Sequence, residues 1–211
     1  HGANTVLIAD TGEGKVWATS LERFTDFSSN AVPLLEDVDS PHVVVGRDGT
    51  GFVVDASGAI TKVTGSDERF RTDSVGALPD GITSNTQLTI AGDQLVAVDE
   101  GRVRTAGSST EVSGITATSL AQQPSLERGH VTVAAADALL TIPLGGGDPQ
   151  RVEVPSGKPA APVDVAGCVY GAWAGSGAHV RDCPGESDDV NGTNDTLATS
   201  TSPLFRVSRD I

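Results

Sequence analysis

The sequence lacks several features that would place it in common classes of protein. It has no methionine and begins at His1, so we expect the chain to be a processed or excised piece of something longer. No run of about eighteen apolar residues is present, which excludes a membrane-spanning helix within this segment. Sustained apolar spacing of about 3.6 residues is also missing, so helix is expected to be a minor component.

Cationic and aromatic residues are scarce. The chain has 14 Lys and Arg against 28 Asp and Glu, which gives a formal net charge of −14. Such a charge disfavours binding to nucleic-acid phosphates and to anionic lipids, so neither is expected as a partner. Two Trp, one Tyr and five Phe leave few rings for stacking on sugars, which counts against a glycosidase.

Sequence signatures of catalysis and of cofactor binding are absent as well. There is no Gly-x-Ser-x-Gly nucleophile elbow, no Walker A loop and no Gly-x-Gly-x-x-Gly after a strand. The four histidines (His1, His42, His130 and His179) have no zinc-binding spacing. We therefore predict no catalytic residue, no resident metal and no cofactor.

Short apolar runs that end in Asp are the main pattern that is present. They occupy residues 6–10, 52–55 and 95–99, and their Asp residues are 45 and 44 positions apart. A Gly-containing turn and a second apolar run follow each of them. Residues 130–142 keep this shape without the Asp, and residues 168–183 form a fifth unit. Short strands repeated about every 40 residues are typical of β-propeller blades.

We therefore predict an all-β, β-propeller-like single domain over residues 1–211. Its five blades are expected at about 1–40, 41–80, 81–117, 118–160 and 161–200. The first unit begins at what would be a second strand, and residues 204–210 (LFRVSRD) align with residues 43–48 (VVVGRD) as a first strand.

A C-terminal strand of this kind would complete the first blade and leave no free sheet edge. Two alternatives stay open. Residues 204–210 can instead open another blade of a six- or seven-bladed propeller, or the chain can be a β-sandwich.

The recurring Asp10, Asp55 and Asp99 are predicted to serve the fold. An Asp at a strand end can accept hydrogen bonds from the backbone N–H groups of the turn that follows. We expect the same use in each blade, because catalytic residues have no reason to repeat with the period of the fold.

Candidate residues for a ligand site come from the propeller hypothesis itself. The first strand of each blade lines the central tunnel, which points to the carboxylates of Asp48 and Asp164, with Gln122 and Arg206 as polar neighbours. In a propeller glycosidase, carboxylates at such positions act as the acid and the base.

The two cysteines lie in one predicted hairpin. Apolar runs flank residues 174–177 (AGSG), which predicts two strands and a four-residue loop. If Trp173 faces Ala178, the same register places Cys168 directly opposite Cys183, close enough to bridge. A disulfide closing about fifteen residues stabilises by roughly 3 kcal/mol in the chain-entropy model and implies an oxidising compartment. The alternative is two unrelated free thiols in a cytosolic protein.

One acidic stretch has oxygen-bearing side chains at alternate positions, as some calcium loops do. These calcium candidates are Asp189, Asn191, Thr193 and Asp195. The stretch lacks the Gly at loop position six and the Glu at position twelve. A flexible acidic surface loop is therefore the simpler interpretation.

Four segments together resemble a known family. They are residues 41–49 (PHVVVGRDG), 134–140 (AAADALL), 168–183 (CVYGAWAGSGAHVRDC) and 204–210 (LFRVSRD). They resemble the N-terminal extracytoplasmic part of large actinobacterial envelope proteins that carry fibronectin type III or Ig-like repeats. The resemblance implies an extracellular location, a membrane anchor upstream and β-sandwich modules downstream. It carries over no catalytic residue and no ligand.

These observations favour a non-catalytic extracellular scaffold, an interaction module of a larger cell-envelope protein. Its partner is expected to be a protein or a cell-wall component, bound by loops that rigid blades hold in place. A ligand- or glycan-binding sensor is the alternative, and it predicts a polar pocket at the tunnel mouth. A propeller glycosidase ranks below both.

Overall fold

The computed structural model describes residues 5–22, 30–46, 48–65, 69–116, 120–122, 129–154, 157–159, 163–165, 168–174 and 178–182. The chain divides into two compact units, unit 1 (His1–Val112) and unit 2 (Ser113–Ile211). Both are built from small antiparallel sheets, so the prediction of an all-β protein is confirmed. Within the described ranges, no helix has the length and apolar character needed to cross a bilayer.

Unit 1 contains three sheets, each a simple up-and-down meander in which sequential strands are neighbours. Sheet A consists of β1 (Thr5–Asp10), β2 (Lys15–Ser20) and β3 (Val32–Leu35). Sheet B consists of β4 (His42–Val45), β5 (Gly51–Val54), β6 (Ala59–Thr64) and β7 (Arg71–Ala77). Sheet C consists of β8 (Gln87–Ala91), β9 (Gln94–Asp99), β10 (Arg102–Thr105) and β11 (Ser108–Glu111).

Unit 2 contains two further sheets. Sheet D is a meander of β12 (Leu120–Gln122), β13 (His130–Ala134), β14 (Ala138–Pro143) and β15 (Gln150–Glu153). Sheet E consists of β16 (Lys158–Pro159), β17 (Val163–Val165), β18 (Cys168–Ala174) and β19 (Ala178–Asp182). In sheet E, β18 is central: β16 and β17 pair with its two ends, and β19 also pairs with it.

The pairing of β16 bears on the predicted boundary between the fourth and fifth blades, near residue 160. Residues 118–160 were expected to form the fourth blade, yet β16 pairs with β18 of sheet E rather than with a strand of sheet D. Lys158 lies opposite Ala174, and Pro159 lies opposite Trp173. The last strand of sheet D ends at Glu153, so the connection between the two sheets begins there.

The middle strand β5 is apolar and buried on both sides because neighbouring sheets cover both of its faces. Successive side chains of a strand point to opposite faces, so a strand exposed on one side would alternate between buried and exposed residues. In β5, by contrast, Phe52, Val53 and Val54 are all buried. The outer strand β7 is exposed along its whole length.

Side-chain alternation in sheet B divides the core of unit 1 into two layers. Val53 and Val63 pack with Leu7, Val16 and Ala18 of sheet A. On the other face, a second set of sheet B residues packs with residues of sheet C. This second layer comprises Phe52, Val54, Ile60, Leu78, Ile90, Leu95 and Ala97.

The first strands of the three sheets of unit 1 are also neighbours in space. Strand β1 lies against β4, and β4 lies against β8. Gly51, the first residue of β5, faces Leu7 of β1 so closely that a Cβ at Gly51 would lie 2.5 Å from a Leu7 methyl carbon. Sheets A and B are therefore in direct face-to-face contact.

The core of unit 2 centres on Trp173. Its side chain is 1% exposed and packs with Ala134, Leu139 and Val154. The indole Nε1–H donates to the carbonyl oxygen of Ala135 at 2.6 Å, which satisfies its polar atom within the core. Trp173 thus links β18 of sheet E to the end of β13 in sheet D.

Candidate functional site

The best-defined surface of unit 1 is formed by connections between strands. In a meander, successive connections alternate between the two ends of the sheet. The turn after β1, the turn after β5, the turn after β9 and the connections between sheets therefore fall at one end. We call this surface the turn rim and define it as residues 10–15, 36–41, 55–59, 78–86 and 99–104.

Backbone hydrogen bonds join four of the five rim segments, residues 10–15, 36–41, 55–59 and 78–86. Val38 N donates to Gly14 O, Ala56 N donates to Asp39 O, and Ile82 N donates to Ala56 O, at 2.9, 2.9 and 3.2 Å. These bonds pair peptide groups that have no partner in the hydrogen bonding between strands. Each connection is therefore bonded to a neighbouring connection as well as to the strands at its two ends.

One of these hydrogen bonds recurs in four sheets. The first apolar residue after the outer strand donates its N–H to the turn residue that precedes an inner strand of the same sheet. The pairs are Val38 to Gly14, Leu78 to Gly58, Val112 to Gly101 and Val154 to Asp137. Three of these donors (Leu78, Val112 and Val154) are buried.

Asp10 and Asp55 act as predicted. Asp10 Oδ1 accepts from the N–H groups of Gly12 and Glu13 at 2.9 and 3.0 Å. Asp55 Oδ1 accepts from Ala59 N at 2.9 Å and from the Ser57 hydroxyl at 2.6 Å. Both carboxylates hold the turn that follows their strand.

The prediction that Asp99 has the same use is wrong. Its Oδ1 accepts from the Thr86 hydroxyl at 2.6 Å, and its Oδ2 accepts from Arg104 Nε at 2.7 Å. The reason is Arg104, a buried cation on β10 that needs a carboxylate partner. Sequence reasoning missed Arg104. Arg102 and Arg104 alternate with apolar residues in the same short strand, and the sequence does not show which of the two arginines is buried.

The rim carries nine carboxylates and three cations within the segments that define it. Each cation is paired: Lys15 with Glu13 at 2.8 Å, Arg102 with Asp80 at 2.9 Å, and Arg104 with Asp99. The hydrogen bond and charge of Glu13, followed by the charges of Glu36 and Asp10, raise the pKa of Lys15 above its ordinary value. The rim therefore presents a negative surface on a rigid backbone.

The tunnel-lining candidates fall in different parts of the chain. Asp48 lies in the turn between β4 and β5, where its carboxylate accepts from Thr50 N and from the Thr50 hydroxyl, both at 3.0 Å. Gln122 is the last residue of β12, and Asp164 is the middle residue of β17. Arg206 lies outside the described residues. A tunnel lined by these residues stays a prediction.

The remaining candidates are placed as follows. Asp189, Asn191, Thr193 and Asp195 lie outside the described residues, as does Cys183. His42 and His130 are the first residues of β4 and β13, and His179 is the second residue of β19. The described part of the chain contains no group of three His, Cys, Asp or Glu residues arranged to hold a metal ion.

The cysteine hairpin has the predicted register. Trp173 lies opposite Ala178, and the pairing continues through Ala172 with His179 to Val169 with Asp182. Cys168 is the first residue of β18, one position before Val169. The strand pairing therefore agrees with the geometry from which the disulfide was predicted.

Comparison with protein-family models and with curated proteins finds no match to this chain.

Proposed function

We propose that this chain is a non-catalytic interaction module with a propeller-like arrangement of blades, which acts as a rigid scaffold that presents the turn rim to a partner. The hydrogen bond that recurs in sheets A, B, C and D carries this proposal. It fixes the connection after the outer strand in the same way each time, as expected of a repeated blade whose connections are held for display.

The arrangement of sheets within unit 1 supports the propeller hypothesis. Meanders of three or four strands pack face to face, β1 lies against β4, β4 lies against β8, and the outer strand β7 is exposed. In a propeller, blades pack in this way around a central axis. Five blades, with residues 204–210 completing the first, remain the arrangement that we propose.

We place the module outside the cell, as part of a larger envelope protein of the actinobacterial type that the sequence resembles. The register of β18 and β19 supports this placement, because it pairs Val169 with Asp182, the residues next to Cys168 and Cys183 in the sequence. A disulfide at this position requires an oxidising compartment. The proposed partner is a protein or a cell-wall component.

The charge of the rim restricts that partner. Glu36, Asp37 and Glu100 are exposed carboxylates, whereas every cation of the rim is already paired. Opposite charge across an interface accelerates association, and like charge opposes it. A neutral or cationic partner surface is therefore favoured over an anionic one.

Binding to isolated actinobacterial envelope fractions tests the proposal. The chain is immobilised and exposed separately to purified peptidoglycan fragments and to solubilised envelope proteins. We expect saturable binding to one fraction, weakened at least fivefold by the rim variant Glu36→Gln/Glu100→Gln. The matched control, Asp73→Asn/Asp93→Asn, removes two exposed carboxylates outside the rim and should bind like the unchanged chain.

Three results would contradict the proposal. Equal weakening in both double variants would show that only net charge matters. Saturable binding that neither variant weakens would place the interaction surface elsewhere. Release of reducing sugars from the glycan fraction would identify an enzyme, and Asp48 and Asp164 would then be the first residues to substitute.

A further inference from the structure

Arg104 is the most deeply buried charged residue in the described part of the chain, with 1% of its surface exposed. Its guanidinium is satisfied on two sides. Nε and Nη2 both bind Asp99 Oδ2, at 2.7 and 2.5 Å, while Nη1 donates to the carbonyl oxygens of Pro79 and Gly81. One side chain on β10 thus joins a carboxylate of β9 to the backbone of the connection between β7 and β8.

The backbone that Arg104 holds has an unfavourable conformation. Asp80 has φ of 62° and Gly81 has φ of 67°, so two successive residues are left-handed. For Asp80 this conformation is costly, and it persists only where surrounding contacts enforce it. The two carbonyl groups that flank Asp80 are those that accept from Arg104.

The opposite end of the same connection is fixed through Asp99. The Thr86 hydroxyl donates to Asp99 Oδ1, and Thr86 N donates to Thr83 O at 3.0 Å. Residues 83–85 between these anchors are exposed. Arg104 and Asp99 therefore hold both ends of residues 79–86 while leaving the middle open to solvent.

We propose that Arg104 is a buried clamp that sets the conformation of residues 79–86. Without it, Asp80 and Gly81 lose the partners that compensate for their left-handed backbone, and Asp99 loses the cation that keeps it oriented toward Thr86. The core between sheets A and B does not depend on the clamp, because none of its residues belongs to residues 79–86. This inference concerns the conformation of the segment and is independent of whether the rim binds a partner.

Hydrogen exchange of the whole chain, resolved by amide, tests the clamp. In Arg104→Met we expect the amides of Ile82 and Thr86 to exchange at least tenfold faster, while the amides of β1 and β2 exchange as before. Arg102→Met is the matched control, since Arg102 binds Asp80 of the same segment but from the surface. Its exchange should resemble that of the unchanged chain.

Two further variants keep the test decisive if Arg104→Met does not fold. Asp99→Asn preserves shape but removes the partner charge, and Arg104→Lys preserves the charge but cannot bind carboxylate and carbonyls together. Both should accelerate exchange in residues 79–86 selectively. Uniform acceleration across all sheets, no acceleration, or an equal effect of Arg102→Met would overturn the proposal.

Discussion

At the scale of single residues, Gly58 shows how the rim constrains its turns. It has φ of 91°, and a Cβ at this position would lie 2.7 Å from the carbonyl oxygen of Leu78. That carbonyl belongs to the residue whose N–H binds Gly58 O. Glycine is thus required twice, by the left-handed backbone and by the close approach of the connection.

We predict that Gly58→Ala destabilises the chain more than Gly107→Ala. Gly107 also has positive φ, of 71°, but has open space where its Cβ would lie. Both variants place a Cβ on a left-handed backbone. The difference between their losses in free energy of unfolding therefore reports the steric clash at Gly58, and overpacking of this kind costs about 1–3 kcal/mol. Urea unfolding of the two variants measures it. Equal losses would show that the connection at Leu78 moves away freely.

Residue-level prediction from the sequence was accurate where the interaction is local. Asp10 and Asp55 were identified because an Asp followed by a Gly-containing turn bonds within a few residues. Asp99 has the same local pattern, but its partners are Thr86 and Arg104, the first of which is 13 residues away. The sequence around Asp99 does not show that Thr86 and Arg104 bind the carboxylate that would otherwise accept from the turn.

At the scale of elements, the hairpin of β18 and β19 is the most informative. Its described register ends with Val169 opposite Asp182, and one more residue of the same pairing would place Cys183 opposite Cys168. We predict a disulfide between them, which stabilises by roughly 3 kcal/mol. Thiol labelling under denaturing, non-reducing conditions should find no reactive thiol, and reduction should lower the melting temperature. Two labelled thiols in freshly purified protein would disprove the bridge.

The outer strand β7 is protected against pairing with other chains. Val75 is a bulged residue, since Ile60 pairs with Gly76 and Thr61 pairs with Ser74. The exposed strand also carries Arg71 and Asp73. Bulges and charges on an edge strand are the usual means of preventing edge-to-edge association.

We therefore predict that Arg71→Val/Asp73→Val promotes self-association through β7. Light scattering across a concentration series should show larger species than the unchanged chain forms. Glu13→Val/Lys15→Val is the control, because it also removes one charge of each sign, from an exposed ion pair between the turn after β1 and the first residue of β2. Association in both variants to the same extent would indicate general surface hydrophobicity instead of edge pairing.

Element prediction was accurate for the apolar strands, whereas the sequence has no signal for β16. Strands such as β13 and β14 are set by apolar runs between turn residues, and these appear in the sequence. Strand β16 has two residues, Lys158 and Pro159, with no apolar pattern of its own. Its pairing with Ala174 and Trp173 is decided by the partner strand, and the repeat period of the sequence carries no information about it.

At the scale of the whole molecule, each unit contains one tryptophan. Trp17 lies on β2 in unit 1, and Trp173 lies on β18 in unit 2. Phe substitution of either one leaves a single reporter whose fluorescence follows one unit. Fluorescence follows the unit that keeps its tryptophan, and far-ultraviolet circular dichroism follows the whole chain. Both midpoints are measured on the same variant, so any change in stability caused by the substitution affects both equally.

We predict that fluorescence and circular dichroism give the same unfolding midpoint in Trp17→Phe and in Trp173→Phe. If residues 204–210 complete the first blade, as we propose, the first and last blades share a sheet, and residues 1–211 should unfold cooperatively as one domain. In Trp173→Phe, where Trp17 is the remaining tryptophan, removing residues 204–211 should then lower the unfolding midpoint measured by fluorescence. Separate midpoints for the two signals, or a Trp17 transition indifferent to the deletion, would mean that unit 1 is stable without a closing strand and that the five-bladed ring is wrong.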